Sequence, residues 1–151
     1  KAQFAFALST DPKYLILDEP TANFDPDFKQ DFLNVIMQFM ESGKKSVIIA
    51  SHILDELDRI ADYLIYLDKG ELVYSGDIES FRDKYRIISG ESYKVKFLKQ
   101  EDIIHAEDRK YGTKALVVNH GYSKYDGALT VTVPTLEEFM YHYSKRGESV
   151  I

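Results

Sequence analysis

The sequence predicts an α/β protein whose parallel sheet carries flanking helices, followed by a small α+β accessory unit. Two short apolar runs, "YLILD" and "KSVIIASH", are typical of parallel strands that are buried on both faces. A helical pattern of apolar residues follows each run. From about Ile87 onward, apolar and polar residues alternate instead, as in half-exposed strands. These three observations give the fold class.

The first unit is predicted to run strand, helix, strand, helix, after an opening helix "KAQFAFALSTDPKY" that Asp11-Pro12 ends. The helix after the first strand has apolar residues at three- and four-residue spacing, and Gly43 ends it. "ILDELDRIADY" is predicted to be the second helix of the pair. This order implies parallel strands with right-handed crossovers. The residues on the apolar face of the longer helix are Phe28, Phe32, Val35, Ile36, Phe39 and Met40.

The later segments predict smaller elements. "YLIYLDKGELVYSG" is predicted to be a hairpin that turns at Asp68-Lys69-Gly70, and Asp77 is the predicted N-cap of a short helix. "SYKVKFL", "KALVVNH" and "GALTVTVP" are predicted to be strands. A final helix begins at Thr135, which with Glu138 has the spacing of a capping box.

Composition and charge divide the chain and exclude several classes of protein. Residues 1–86 carry 10 Lys/Arg against 16 Asp/Glu, a net charge of −6, whereas residues 87–151 carry 9 of each. We therefore expect two domains, 1–86 and 87–151, and no nucleic-acid partner. With no cysteine, the chain has neither disulfides nor a cysteine-based metal site, and no apolar run approaches the roughly 20 residues of a membrane span. His105, His120 and His142 lack metal-ligand spacing.

Polar side chains end both predicted parallel strands. Asp18 and Glu19 follow the first strand, and His52 follows the second. Ligands of open parallel sheets bind outside the carboxyl ends of the strands. Two adjacent carboxylates repel each other, and a divalent cation with phosphate would compensate them. Phosphoryl transfer needs a carboxylate for Mg²⁺, a group that orients the attacking water and a donor to the terminal phosphate, and these three side chains suit those roles.

A structural interpretation of the same residues stays open. Asp18-Glu19-Pro20 can be a simple strand stop, and His52 can cap a helix or belong to the core. An isolated pair of acidic residues favours this alternative. The second strand that ends in histidine favours the functional one.

Three segments, in this order, resemble ATP-binding cassette (ABC) ATPases. "YLILDEP" is similar to the Walker B segment, "TANFDP" to the D-loop and "IIASH" to the switch-histidine loop. "ADYLIYLDKGELVYSGD" resembles the hairpin that follows in that family, and the opening helix resembles the one after its signature loop. The resemblance covers residues 1–86 and implies the carboxyl-terminal part of a P-loop NTPase (RecA-like) domain.

The resemblance also implies roles and cofactors, ATP and Mg²⁺. Asp18 would hold Mg²⁺ through its water shell, Glu19 would polarise the attacking water, and His52 would contact the γ-phosphate. Asp25, in the D-loop, would touch a second ATPase subunit, identical or different, across the nucleotide sandwich. Asn23 and Phe24 depart from the commonest D-loop sequence of the family.

One hallmark of the family is missing from the sequence. No GxxxxGK[ST] phosphate loop occurs, and the nearest match, "GKKS" at residues 43–46, has Lys45 where Ser or Thr belongs and Gln38 where the first glycine belongs. We therefore expect these residues to be a fragment that does not hydrolyse ATP by itself.

The function implied is that of the ATP-binding subunit of an ABC transporter, working with separate transmembrane permease subunits. Its location would be the cytoplasm, peripheral on the inner face of the cell membrane. The tail "PTLEEFMYHYSK" resembles exporter-type cassettes, although residues 87–151 can equally be a packing appendage. Two alternatives stay open: a soluble ABC ATPase outside transport, and a non-catalytic binding module.

Overall fold

The fold comes from a computed structural model, which describes residues 2–54, 57–122 and 129–148. The chain divides into two compact units, Lys1–Ile60 and Ala61–Ile151. No helix in the described ranges is both long enough and apolar enough to cross a membrane.

The first unit contains α1 (Ala2–Ser9), β1 (Tyr14–Asp18), α2 (Pro26–Met40), β2 (Ser46–Ala50) and a 3-10 turn (Leu57–Arg59). Strands β1 and β2 pair in parallel, with Asp18 beside Ala50 at their carboxyl ends. The predicted strand, helix and parallel strand are therefore confirmed. The core of the unit consists of Leu15 from β1 and one face of α2, formed by Phe32, Leu33 and Ile36.

Local sequence explains where α2 begins and ends. The carboxylate of Asp25 accepts a hydrogen bond from the Phe28 amide at 2.9 Å, and Pro26 occupies the first helical position. After the helix, the Gly43 amide donates to the Met40 carbonyl at 2.8 Å, and Gly43 has a φ of 66°. This positive φ suits glycine, as the sequence predicts for the end of this helix.

The second predicted helix, "ILDELDRIADY", does not form as expected. Of its described residues, only Leu57–Arg59 are helical, and they form a single 3-10 turn. Asp55 and Glu56 lie outside the described residues. The amphipathic spacing is real, but among the described residues of this segment only Ile60 packs against the first unit's core cluster, so the pattern alone overestimated the helix.

Within its described residues, the second unit contains an antiparallel hairpin, a four-stranded antiparallel sheet and three α-helices. The hairpin consists of β3 (Tyr63–Asp68) and β4 (Glu71–Asp77), and the larger sheet has the strand order β6-β7-β5-β8. Its remaining elements are α3 (Ile78–Lys84), β5 (Tyr85–Gly90), α4 (Ser92–Val95), β6 (Ile103–Arg109), β7 (Gly112–Val118), β8 (Leu129–Thr132) and α5 (Leu136–Ser144).

Several local predictions in this unit are confirmed. Lys69 and Gly70, with φ angles of 50° and 82°, close the β3–β4 hairpin, as two-residue turns of type I′ require. Asp77 caps α3 by accepting from the Ser80 amide at 2.7 Å. Thr135 and Glu138 form the predicted capping box of α5. Each depends on neighbouring residues only.

The predicted strand "SYKVKFL" is wrong. Ser92–Val95 form α4, and helical hydrogen bonds continue to the Leu98 amide, which donates to the Val95 carbonyl at 3.0 Å. Val95 and Leu98 are buried while Phe97 is exposed, so the buried positions have helical spacing. The apolar alternation of Tyr93, Val95 and Phe97 was misleading because only Val95 is buried.

The predicted domain boundary falls inside a strand. Residues 86 and 87 lie in β5, which pairs with β7 on one side and β8 on the other. The compact units instead separate after Ile60. A strand that is hydrogen-bonded on both sides resists bending, because its backbone groups are satisfied by both neighbours. That 1–86 is one functional domain and 87–151 another stays a prediction.

Candidate functional site

The carboxyl ends of β1 and β2 bring the predicted site residues together. Asp18 is the last residue of β1 and pairs with Ala50, the last residue of β2. The chain continues the pairing by one step, since the Glu19 amide donates to the Ala50 carbonyl at 2.8 Å. Ser51 and His52 therefore follow β2 beside Glu19. The parallel register, which the apolar runs predict, places these side chains at one edge.

Glu19 and His52 contact each other directly. Oε1 of Glu19 lies 2.8 Å from Nδ1 of the His52 ring and accepts a hydrogen bond from the His52 amide at 3.1 Å. The Glu19 side chain is 39% exposed and that of His52 is 72% exposed, so both are accessible to a ligand. The contact makes the carboxylate and the imidazole one unit, which the sequence could not reveal.

Ser51 is a further member of the site, which the sequence analysis did not assign. Its hydroxyl donates to Oε2 of Glu19 at 3.4 Å and accepts from the Ile53 amide at 3.0 Å. Both carboxylate oxygens of Glu19 thus have a donor from the loop after β2. The available signal was its position between a buried strand and His52.

The pKa of Glu19 is lowered from its ordinary value by these donors. The hydrogen bond with the His52 side chain is the largest cause, and partial burial of the carboxylate opposes it. Donors that bind the charged form of a carboxylate favour that form. Glu19 is therefore held ionised, in the form that accepts a hydrogen bond from water.

Asp18 has a different environment. Its side chain is exposed, and among the described residues it has neither a hydrogen-bond nor an ion-pair partner. A free carboxylate with access to water fits Mg²⁺, which commonly binds one or two protein carboxylates and keeps several waters. No group of three His, Asp or Glu side chains within the described ranges makes a cage for a metal ion. Any Mg²⁺ here would rely on waters and phosphate for its other ligands.

Asp25 lies at the start of α2, where its carboxylate caps the helix through the Phe28 amide. It is exposed and belongs to the loop between β1 and α2. Capping explains the residue locally, and the expected contact with a second subunit stays a prediction.

Glu19 also has an unusual backbone. Its φ of 44° places it in the left-handed region, which residues with a Cβ rarely adopt. The hydrogen bonds of its amide and carboxylate to the strand-β2 side hold this conformation. Such backbone outliers cluster at functional sites.

Comparison with known proteins finds ABC transporter ATP-binding proteins among the relatives of this chain. A provisionally named ABC transporter ATP-binding protein of Mycoplasma pneumoniae is 35% identical over 104 residues, which is 66% of this chain and 32% of that protein. The energy-coupling factor transporter ATP-binding protein EcfA2 of Caldanaerobacter subterraneus is 39% identical over 88 residues, covering 58% of this chain and 31% of the relative. The chain is homologous to ABC transporter ATP-binding proteins.

Other comparisons complete this finding. The EcfA2 protein of Streptococcus pyogenes is 33% identical over 76 residues, covering 50% of this chain and 27% of its own length. The present chain thus spans about a third of the length of the curated relatives that it matches. No protein-family model matches it. The UvrA2 structure from Deinococcus radiodurans aligns with a TM-score of 0.41 at 22% identity, over 57% of this chain and 14% of that one, and contributes nothing to the assignment.

Proposed function

We propose that this chain supplies the Walker B, D-loop and switch-histidine part of an ATPase that couples ATP hydrolysis to transport. The observation that supports it most is the contact between Glu19 and His52 at the ends of the parallel pair β1–β2. Homology to ABC transporter ATP-binding proteins supports the same reaction. The proposed cofactors are ATP and Mg²⁺.

In this proposal each side chain has one task. Asp18 holds Mg²⁺ through coordinated water, and the ion when bound neutralises charge on the phosphates. Glu19 accepts a hydrogen bond from the attacking water and takes its proton. His52 contacts the γ-phosphate.

The Glu19–His52 contact constrains how His52 can serve the phosphate. When Nδ1 donates to Glu19, a neutral imidazole leaves Nε2 as an acceptor, which phosphate oxygens do not favour. An imidazolium has N–H groups on both nitrogens and can bridge Glu19 and phosphate at once. The proposed task of His52 therefore requires either its protonated form or release of Glu19 when nucleotide binds.

Assembly and location belong to the same proposal. Two ATPase subunits close over nucleotide, with Asp25 at the contact between them, and the subunits drive separate transmembrane permeases, with export as the favoured direction. The protein then lies on the cytoplasmic face of the cell membrane. Because no GxxxxGK[ST] loop occurs in these 151 residues, we expect them to be inactive without a phosphate loop from elsewhere in the ATPase.

The test is a pair of substitutions in the intact ATPase. Glu19→Gln keeps the size and hydrogen bonding of the side chain but removes the base, so ATP turnover should fall by about 10²- to 10⁴-fold while ATP still binds. Asp18→Asn should weaken Mg-ATP binding as well as turnover, since the charged acceptor for the ion's coordinated water is lost. Asp27→Asn, an exposed carboxylate of α2, is the matched control. Near-normal turnover in Glu19→Gln would identify the acidic pair as a structural strand stop.

A further inference from the structure

Three aromatic rings of the second unit stand in solvent beside lysines. Phe97 is 86% exposed, Tyr111 is 87% exposed and Tyr93 is 57% exposed. Lys96 and Lys110 are exposed neighbours of these rings in the sequence. We call Tyr93, Lys96, Phe97, Lys110 and Tyr111 the aromatic–basic patch. Covering an exposed phenylalanine side chain stabilises a complex by about 1.5–3 kcal/mol, so a surface that receives Phe97 together with its neighbouring rings would gain from the contact.

The turns at α4 place Tyr93, Lys96 and Phe97 of the patch in solvent. Val95 and Leu98 anchor this segment in the core of the unit. Tyr93, Lys96 and Phe97 are spaced i, i+3 and i+4, so they share the opposite, exposed side. The segment therefore has one buried face and one face that combines two rings with a cation.

The β6–β7 turn is fastened beside the start of α4. The Thr113 hydroxyl donates to the Ser92 hydroxyl at 2.8 Å, and Ser92 in turn donates to the Asp108 carboxylate at 3.4 Å. At Gly112 the two backbones approach so closely that a Cβ would lie 2.2 Å from the Gly90 carbonyl oxygen. Lys110 and Tyr111, at the tip of this turn, directly precede the residues that meet the start of α4.

The cations of the patch are available to an anionic partner. Across the ranges that the structure describes, Lys96 and Lys110 have no carboxylate within ion-pair distance, and Lys110 lies 5.2 Å from the Tyr111 ring centroid. The cations next to them in the sequence are ion-paired, because Lys94 pairs with Glu91 at 2.9 Å and Arg109 pairs with Glu107. Two lysines without an ion-pair partner thus stand beside three exposed rings, with the carboxylates of Glu91 and Asp108 at the edge of the patch.

We infer that the aromatic–basic patch binds the surface of an anionic lipid bilayer. Aromatic rings partition into the interface between headgroups and acyl chains, and lysines beside them attract anionic headgroups. A bilayer touches only protruding groups, which suits a patch at the tips of two turns. Nucleic acid fits less well, because residues 61–151 carry 13 Lys/Arg against 15 Asp/Glu and offer no extended positive track. The inference does not depend on the proposed ATPase activity.

The sharpest test uses a fluorescent reporter, since the chain contains no tryptophan. Phe97→Trp should give emission that shifts to shorter wavelength when phosphatidylcholine vesicles containing about a third phosphatidylglycerol are added. Phe6→Trp is the matched control, because Phe6 is 72% exposed but lies on α1, outside the patch. A shift at position 97 and none at position 6 supports the inference, and no shift at position 97 overturns it.

Vesicle sedimentation of the unlabelled chain gives an independent measurement. Lys96→Glu with Lys110→Glu should lower the partition coefficient on anionic vesicles at least tenfold, and raising salt from 0.1 to 0.5 M should lower it too. Phe97→Ser with Tyr111→Ser should have a comparable effect. Lys44→Glu with Lys69→Glu, two exposed lysines elsewhere, should retain binding. Equal binding by all variants would overturn the inference, as would tighter binding to single-stranded RNA than to anionic vesicles.

Discussion

Nδ1 of His52 lies 2.8 Å from Oε1 of Glu19, and the amide of the same histidine donates to that oxygen at 3.1 Å. One residue thus supplies two donors to one carboxylate oxygen. Replacing the imidazole removes the first donor but leaves the second in place. The two contributions can therefore be separated by experiment.

His52→Ala should raise the pKa of Glu19 toward its ordinary value of 4.5, because the hydrogen bond with the His52 side chain is the largest cause that lowers it. Carbon NMR titration of the Glu19 carboxyl in the chain measures the change. Ser51→Ala, which removes the least of the contributing donors, should raise the pKa by less. An unchanged Glu19 pKa in His52→Ala would contradict the arrangement of this site.

Phe32→Ala should destabilise the first unit by about 3–5 kcal/mol, the usual cost of truncating a buried phenylalanine. Phe32 is 1% exposed, and its ring lies 4.8 Å from that of Phe4 and 5.8 Å from that of Phe24. Denaturant unfolding followed by circular dichroism gives the free energy of unfolding. Met37→Ala, on the exposed side of the same helix, should stay within about 0.5 kcal/mol of the parent chain.

The second unit should lose stability in acid because of two buried histidines. Nδ1 of His105 lies 2.8 Å from Nδ1 of His142, so one nitrogen donates and the other accepts, and the accepting ring is neutral. Burial, followed by the charge of His105, lowers the pKa of His142 to about 4, while Glu107 raises it and Lys114 lowers it. Burial also lowers the pKa of His105.

The direction in which stability changes with pH follows from these lowered pKa values. An unfolded histidine titrates near pH 6.5, so below that pH the unfolded chain binds more protons than the folded one. The stability from neutral His142 is complete above about pH 6.5 and should fall by about 3 kcal/mol as the pH drops to about 4. Thermal unfolding across this range should be less pH-dependent in His142→Leu.

Gly112→Ala should destabilise the second unit more than Gly70→Ala does. Both glycines have positive φ, 132° and 82°, so each substitution carries a conformational cost of about 1–2 kcal/mol. At Gly70 no atom lies within 4 Å of an added Cβ, whereas at Gly112 the Gly90 carbonyl oxygen would be 2.2 Å away. Equilibrium unfolding of the two variants compares these costs. Equal losses would show that the backbone relaxes freely at Gly112.

Sequence predicted those parts of the fold that neighbouring residues determine. The parallel strands follow from continuous apolar runs, the β3–β4 turn from Lys69-Gly70, and the α5 cap from Thr135. The strands β5 and β6 were not predicted, because their burial depends on partners distant in sequence such as β7. The same reason explains α4, where tertiary packing selects Val95 and Leu98 as the buried pair.

At the candidate site, sequence identified the residue types but not their mutual contacts. Asp18, Glu19 and His52 follow from the two strand ends, since parallel pairing brings these ends together. The Ser51 hydrogen bond and the direct Glu19–His52 contact depend on the loop after β2, whose conformation has no repeating pattern. The sequence carries no period from which such a loop geometry follows.

The left-handed backbone of Glu19 has a consequence for protein engineering. At a φ of 44° a glycine avoids the steric cost that any side chain with a Cβ meets, so Glu19→Gly would relieve about 1 kcal/mol, although the loss of the side-chain hydrogen bonds opposes this gain. A directed-evolution screen for heat resistance alone would place no selection on the carboxylate that we assign to water activation. Libraries built on this scaffold need position 19 fixed, or a paired selection for turnover in every round.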